Sequence, residues 1–373
     1  MKALHIHCDP KFIKGSKNLF GGDFFENEIL FFGSENFESE YIVTYAKTLR
    51  ELDREFKHKI ANVNIVVFWG LNDWVLRLFR FIPGNVLVIW RFFGYELYGR
   101  IPSLIYTQKT KAILSEKSQI RNLPKRIINK FRHLIQMKVS FRAALERVDT
   151  VLMISEMEYQ MLNTYWSGKL PRLLVMPSSE RVLDLNQLIN NSKEREKRVI
   201  IGHSRNSINN HIELFDLIRE NEPYSNTNFE VLFNYGGPKI YADKVKEFGK
   251  DTVVHFIEDF MSRDEFKKYI MYSSAFVTNS LRQCAGATIF LAIEFGLKIY
   301  MNTANIHSKW LKSEGFLIFS LEDFARDLGS EDFFLSEEKK NYNRNQLLEL
   351  LKKNNFEDFS LKLYSQIEEF VSR

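Results

Sequence analysis

The chain has 373 residues, 45% hydrophobic and 27% charged, with a formal net charge of +5 and two cysteines, Cys8 and Cys284. That length exceeds one typical core and suits two domains. The composition excludes a long disordered tail, and two cysteines give no disulfide framework, which fits a reducing cytoplasm.

The opening MKALHIHCDPKF lacks the basic head, apolar middle and small-residue cleavage site of a signal peptide. KALHIHC, NEILFFG, NIVVFWG, NVLVIW and DTVLMIS then read as five strands. Helical patterns lie between several of them, notably TYAKTLRELDREFK and the basic segment 124–147 that follows Pro124. The most apolar stretch, 63–93, is interrupted by Asp73, Arg77, Arg80 and Arg91, so no membrane span is expected. Residues 178–197 turn polar and charged and read as a linker. The alternation restarts with the strand RVIIGHS, the helix NHIELFDLIREN, the strand NFEVLFNYG and the helix KIYADKVKEFGK, and continues through FLIFS. After Ser336 two helices follow. Strands separated by helices predict an α/β protein of two Rossmann-like, doubly wound domains facing a central cleft. The expected boundaries are 1–177, linker 178–197, 198–335 and terminal helices 336–373.

Chemistry concentrates in strand-to-helix loops of the second half. After RVIIG comes HSRNSINNH, which places Gly202, Ser204, Arg205 and Asn206 in a loop, with Asn209 as the expected helix N-cap. The loop NYGGP, with Asn234, Tyr235 and Gly236, follows another strand. After SAFVTNS comes LRQCAGAT, where the small residues Ala285, Gly286, Ala287 and Thr288 would let phosphate oxygens approach backbone N–H groups. Arg282 adds a charged fork, and Gln283 stands beside it. Neither GxGxxG after the first strand nor GxxxxGK[ST] occurs, which counts against dinucleotide and P-loop binding.

These segments resemble glycosyltransferase family 56, the bacterial Fuc4NAc and fucose-type transferases acting on lipid-linked sugars. RFFGYELYG, IIGHSRNSINNHIELF, VLFNYGGP, NSLRQCAGATIFLAIEFG and LKIYMN carry the resemblance, in order, from about residue 86 to 320. The family's GNSGDRSNEH falls on Gly202, Ser204, Asn209 and His211, and its RQQGIGT on Arg282, Gln283 and Thr288. Its two glycines in that run are replaced by Ala285 and Ala287, and its isoleucine by Gly286. Its acidic position after WGA falls on Glu96.

The resemblance implies the GT-B fold, with the first domain on the acceptor side and the second binding a nucleotide sugar. It also implies metal-independent inverting transfer and a lipid-linked saccharide acceptor at the inner face of the plasma membrane. No Asp-x-Asp pair is present, and His5, His7 and Cys8 have no second cluster to complete a zinc site, so neither metal nor cofactor is expected.

Inversion needs a base for the acceptor hydroxyl. Glu96, after the fourth strand, and Asp9, after the first, are the candidates, while His211 is placed to reach a phosphate. Many GT-B enzymes that use ribonucleotide sugars carry a glutamate about five residues before the glycine closing this helix. Leu291 stands there in this chain, which points to a deoxyribose, dTDP-linked donor. GDP- or UDP-sugar transfer to another glycan, or a non-catalytic binding protein, remain the alternatives.

Between Gln108 and Arg147 eleven cations face two acids, a local balance of +9. Lys125, Arg126, Lys130, Arg132, Lys138 and Arg142, with Phe131, Leu134, Ile135, Val139 and Phe141 among them, predict a basic face peripheral to an anionic membrane. The segment lacks an RNA-recognition signature, so no nucleic-acid partner is expected.

Overall fold

The computed structural model describes residues 1–21, 24–34, 37, 39–116, 140–166, 168–177, 195–221 and 226–372. The chain divides into two compact units: Met1–Arg100, Asn122–Ser179 and Asn354–Arg373 form one, Ile101–Arg121 and Glu180–Lys353 the other.

The first unit carries a seven-stranded sheet of β1 (Lys2–His7), β2 (Glu26–Phe32), β3 (Ile42–Ala46), β4 (Ile65–Trp69), β5 (Leu87–Arg91), β6 (Thr150–Met153) and β7 (Arg172–Val175). Its order is β3-β2-β1-β4-β5-β6-β7, and every pairing is parallel. Central strands such as IVVFW and LVIWR are buried at every position because helices cover both sheet faces. The second unit carries β8 (Arg198–Ile201), β9 (Asn228–Leu232), β10 (Val254–Ile257), β11 (Ala275–Thr278) and β12 (Lys298–Met301), in the all-parallel order β10-β9-β8-β11-β12. Both expected Rossmann-like units are therefore present.

Three expectations shift. TYAKTLRELDREFK is not one helix: Thr44–Ala46 finish β3, and the helix begins at Leu49. Thr48 and Glu51 set that start with a reciprocal capping box, Glu51 N–H donating to Thr48 Oγ1 at 3.2 Å and Thr48 N–H to Glu51 Oε2 at 3.2 Å. Strand β7, in PRLLVMP, was not anticipated either; it is short and pairs at the sheet edge.

The boundaries also differ. Residues 101–121 belong to the second unit, where Ile113 joins the core of Val199, Ile212, Phe229 and Tyr241. The terminal helices Glu337–Lys353 and Phe356–Val371 fall to different units. Phe359, Leu363 and Ile367 of the latter pack against Ala3, Ile65 and Leu87 in the first unit's core.

Within the basic segment, Lys125, Arg126, Lys130, Arg132 and Lys138 lie outside the described residues, as does most of the expected linker. Residues 140–147 are helical. There Phe141 is buried, edge-on to Trp90 at 6.0 Å and beneath the Arg100 guanidinium at 4.2 Å. The apolar stripe at this end thus faces the protein core. Arg142 is exposed and paired with Glu146 at 3.2 Å. Among the described residues, no helix is long and apolar enough to cross a membrane.

Candidate active site

In the second unit the strand order reverses between β8 and β11, which lie side by side at the sheet centre. In an open parallel sheet, that reversal leaves a crevice outside the carboxyl ends of the two strands. The loops that leave those ends are 202–210 and 279–285, the two stretches the sequence singled out.

Gly202 opens the first loop with φ +64°, and a Cβ there would come within 3.1 Å of His211 Nε2 and 3.3 Å of Asn209 Oδ1. Ser204 is buried. Asn209 Nδ2 donates to Ser204 O at 2.8 Å and to Asn206 O at 3.1 Å, drawing the loop into a tight turn. Asn209 is therefore not the expected helix cap. It lies inside the short 3-10 turn Ser207–Asn209, and Asn210 precedes the helix His211–Glu220 in a left-handed conformation.

His211 is the first helical residue, and its N–H donates to Tyr241 Oη at 3.0 Å while Nδ1 pairs with the same oxygen at 3.1 Å. Tyr241 thereby occupies the N–H that opens this helix. Burial, then His203, lowers the His211 pKa to about 3. Burial and the Arg282 charge lower His203 to about 4 against the pull of Asn209. Both imidazoles are neutral at physiological pH.

The loop after β9 docks on this turn. Arg205 N–H donates to Tyr235 O at 3.1 Å and Arg205 Nε to Gly236 O at 2.7 Å. Gly236 (φ +80°) and Gly237 (φ +74°) make the approach possible. A Cβ on Gly237 would lie 2.7 Å from Arg205 O and 2.9 Å from Asn206 Cα. Tyr235 is 52% exposed and Asn234 half-buried.

The loop after β11 ends at Ala285, left-handed at φ 56°, and the helix Gly286–Phe295 follows; no side chain caps it among the described residues. Its apolar length and the left-handed Gly296 (φ 71°), where Leu297 N–H returns to Ala292 O at 2.8 Å, fix both ends. Arg282, Gln283 and Gly286 are half-buried, Ala287 is exposed and Thr288 buried. A helix start with a guanidinium in the loop before it is an arrangement that can seat a polyanion.

The sequence reading missed what holds these loops: a set of asparagines at the strand ends. Asn305 Nδ2 donates to Ser280 O at 2.8 Å and Arg282 O at 2.9 Å, fixing the arginine's backbone. Asn302 Nδ2 donates to Asn279 Oδ1 at 2.7 Å, and Asn279 Nδ2 to Asn210 O at 3.0 Å. The signal was the density of Asn in NSINNH, TNS and MNTAN, each just past a strand.

In the first unit the strand order reverses between β1 and β4. Glu96 lies beyond the next strand, β5, in the short helix Tyr95–Tyr98 and is only 1% exposed. Its carboxylate accepts from Phe93 N–H at 3.2 and 3.3 Å, Trp90 Nε1 at 3.3 Å and Leu71 N–H at 3.4 Å. Burial raises its pKa against those hydrogen bonds. Arg91 is buried nearby; burial lowers its pKa to about 10 while Glu158 and Glu96 oppose the shift.

Asp9 follows β1 and caps the 3-10 turn Pro10–Phe12 through Lys11 N–H at 3.1 Å, with Lys11 Nζ at 2.7 Å. His5 and His7 are buried on β1. His5 Nε2 meets Asn27 Oδ1 at 2.8 Å, Trp69 Nε1 donates to His5 Nδ1 at 3.2 Å, and His7 Nε2 meets Ser16 Oγ at 2.7 Å. Among the described residues no group of three His, Cys, Asp or Glu is placed to hold a metal ion.

No protein-family model and no curated protein matches the chain. Solved structures do. Sucrose-phosphate synthase from Thermosynechococcus elongatus matches with TM-score 0.66 at 13% identity, over 100% of this chain and 99% of that one. Alpha,alpha-trehalose 6-phosphate synthase from Burkholderia multivorans matches with TM-score 0.63 at 9% identity, over 100% and 97%. A trehalose-6-phosphate structure from E. coli bound with UDP-2-fluoro glucose matches with TM-score 0.60 at 9% identity, over 98% and 99%. The whole chain thus has the two-unit GT-B fold of these proteins.

Proposed function

We propose that the protein is a glycosyltransferase that takes a sugar from a nucleotide diphosphate bound in the second unit. The observation that carries this reading is the β8/β11 reversal in a GT-B fold, where the loop that carries Arg282 leads into the helix Gly286–Phe295. Gly202, Ser204, Arg205 and Asn206 lie in the facing loop, His211 opens the helix behind it, and the loop with Asn234, Tyr235 and Gly236 docks on Arg205.

In the reaction the acceptor hydroxyl oxygen attacks the anomeric carbon. The bond from that carbon to the diphosphate oxygen breaks, and the electron pair leaves with the diphosphate. The helix Gly286–Phe295 and Arg282 stabilise the departing charge. The hydroxyl proton passes to a carboxylate, for which Glu96 is the assignment. Charge-assisted bonds to a carboxylate usually measure about 2.7–2.9 Å. Those to Glu96 are 3.2 Å or longer, so its protein partners hold it loosely. Burial raises its proton affinity toward the working range of a base. Catalytic hydrogen bonds often tighten only when substrate arrives. Asp9 is the other carboxylate, already engaged by Lys11.

The proposal extends to a deoxy- or deoxyamino-hexose of fucose or Fuc4NAc type, a dTDP carrier, inverted stereochemistry and a lipid-linked saccharide acceptor in surface polysaccharide synthesis. It places the enzyme on the cytoplasmic face of an anionic membrane through 125–142. Buried Leu291 supports the dTDP carrier, since it presents no hydroxyl partner to a ribose. A UDP-sugar is the second reading, favoured by the UDP-2-fluoro glucose in the E. coli relative.

The test is nucleoside-diphosphate release from dTDP-, UDP- and GDP-sugars with saccharide acceptors, by wild type and Glu96→Gln. Acceptor-dependent release by wild type, lost in Glu96→Gln with the sugar nucleotide still bound, is expected. Undiminished turnover in Glu96→Gln removes the base assignment. Absence of turnover with every sugar nucleotide removes the enzyme reading.

A further inference from the structure

Asn210 is fully buried and left-handed (φ 48°, ψ 54°). Its Oδ1 accepts from Thr107 N–H at 3.0 Å and Thr107 Oγ1 at 3.1 Å. Its Nδ2 is shared among Ile105 O at 3.1 Å, Ile208 O at 3.2 Å and Asn279 O at 3.1 Å. Its own carbonyl accepts from Asn279 Nδ2 at 3.0 Å, so Asn210 and Asn279 exchange hydrogen bonds across the β8/β11 reversal. One short side chain therefore ties together the loop after β8, the loop after β11 and the segment 105–107, all within the second unit.

We propose that Asn210 is a positioning residue for the donor diphosphate: it holds the two phosphate-facing loops in one register and locks both to Ile105–Thr107. This rests on the donor-site reading above. The residues flanking the clamp are the ones that reading uses. His211 follows Asn210, and Ser280–Arg282 follow Asn279.

Chemistry restricts the position. The site needs an acceptor and donors on one short side chain, and a residue that tolerates positive φ. Aspartate would turn a carboxylate toward three carbonyl oxygens. Alanine would lose every side-chain bond and add backbone strain. Glycine would lose the bonds alone, so it separates side chain from backbone. Small errors in the placement of binding groups are expensive: a displacement of about 1 Å can cost ~100-fold in rate.

The experiment compares wild type, Asn210→Gly and Thr107→Val by titration calorimetry with dTDP, UDP and GDP, below each variant's melting temperature. Circular dichroism of the same samples reports the fold. The expected result is that wild type binds at least one of the three. Asn210→Gly should stay folded and bind that nucleotide roughly tenfold or more weakly. Thr107→Val, which removes one bond of the clamp, should weaken it by a smaller factor, and a sugar-nucleotide KM should rise in parallel.

A folded Asn210→Gly with wild-type affinity makes Asn210 purely structural and overturns the inference, leaving the donor site standing. If Asn210→Gly does not fold, Thr107→Val decides, and unchanged affinity there overturns the inference as well. A wild type that binds none of the three nucleotides sinks the donor site and the clamp together.

Discussion

Four histidines are buried and a fifth, His203, is half-buried, and the fold holds all five neutral, which predicts a steep loss of stability on mild acidification. Burial is the leading cause in each, lowering His5, His203 and His307 to about 4, His211 to about 3, and His7 well below its ordinary 6.5. The unfolded chain takes up these protons near pH 6.5, while the folded chain refuses those of His5, His203, His211 and His307 until about pH 4 or below. Stability is therefore unaffected above 6.5 and falls as pH drops between the two values. Each histidine costs about 1.4 kcal/mol per pH unit inside that window, or about 2 kcal/mol by pH 5. His5, His203, His211 and His307 together approach ~8 kcal/mol, within the range of a typical domain's whole stability.

His307 isolates one contribution. Its ring lies 6.1 Å from Phe290 and 5.2 Å from Trp310, and Nε2 has no hydrogen-bond partner among the described residues. His307→Phe should keep the packing and remove one proton from the linkage. Urea denaturation of both proteins between about pH 6 and 5 should show the variant's slope shallower by about 1.4 kcal/mol per pH unit. Equal slopes, or wild-type stability flat across this range, would refute the reasoning.

Gly237→Ala should be destabilising by about 1–2 kcal/mol from its positive φ alone. It should also push the loop after β9 off Arg205, weakening nucleotide binding in calorimetry; an unchanged affinity would show that this docking is irrelevant to the site. Arg282→Ala removes the guanidinium from the proposed diphosphate seat and should weaken dTDP or UDP by about tenfold, since bonds to charged groups contribute roughly 1.5–3 kcal/mol. Its melting temperature without ligand should stay near wild type. Because burial raises the Glu96 pKa, the acid limb of kcat/KM should sit above the ordinary carboxylate range and vanish with Glu96→Gln. A limb that persists in the variant assigns it to another group.

The architecture was readable because parallel strands buried on both faces are apolar without interruption, as in IVVFW and VLVIW, and stand out between helices. Strands β3 and β7 escaped because edge strands are only partly buried: IVTYA is exposed at its start and merges with the capped helix behind it. The loops after β8, β9 and β11 were legible from small residues at strand ends. What holds them was not, because Asn210, Asn279, Asn302 and Asn305 act through contacts between segments far apart in sequence. The same limit explains the assignment of Asn209 as a cap. A single asparagine before a helix fits a cap by pattern, yet here the preceding 3-10 turn recruits its amide and leaves the helix start to Tyr241. For a related reason the sequence does not show which unit Ile113 and Phe359 join, since packing decides it.

A nucleoside diphosphate seated at the β8/β11 reversal would stabilise the folded chain. The melting temperature is followed for wild type and Arg282→Ala with dTDP, UDP or GDP in a chelator. A ligand at about 100 times its Kd stabilises the folded chain by about 2.7 kcal/mol. A clear rise is expected for wild type with at least one nucleotide, largely lost in Arg282→Ala. No rise with any of the three, or an equal rise in the variant, would contradict it.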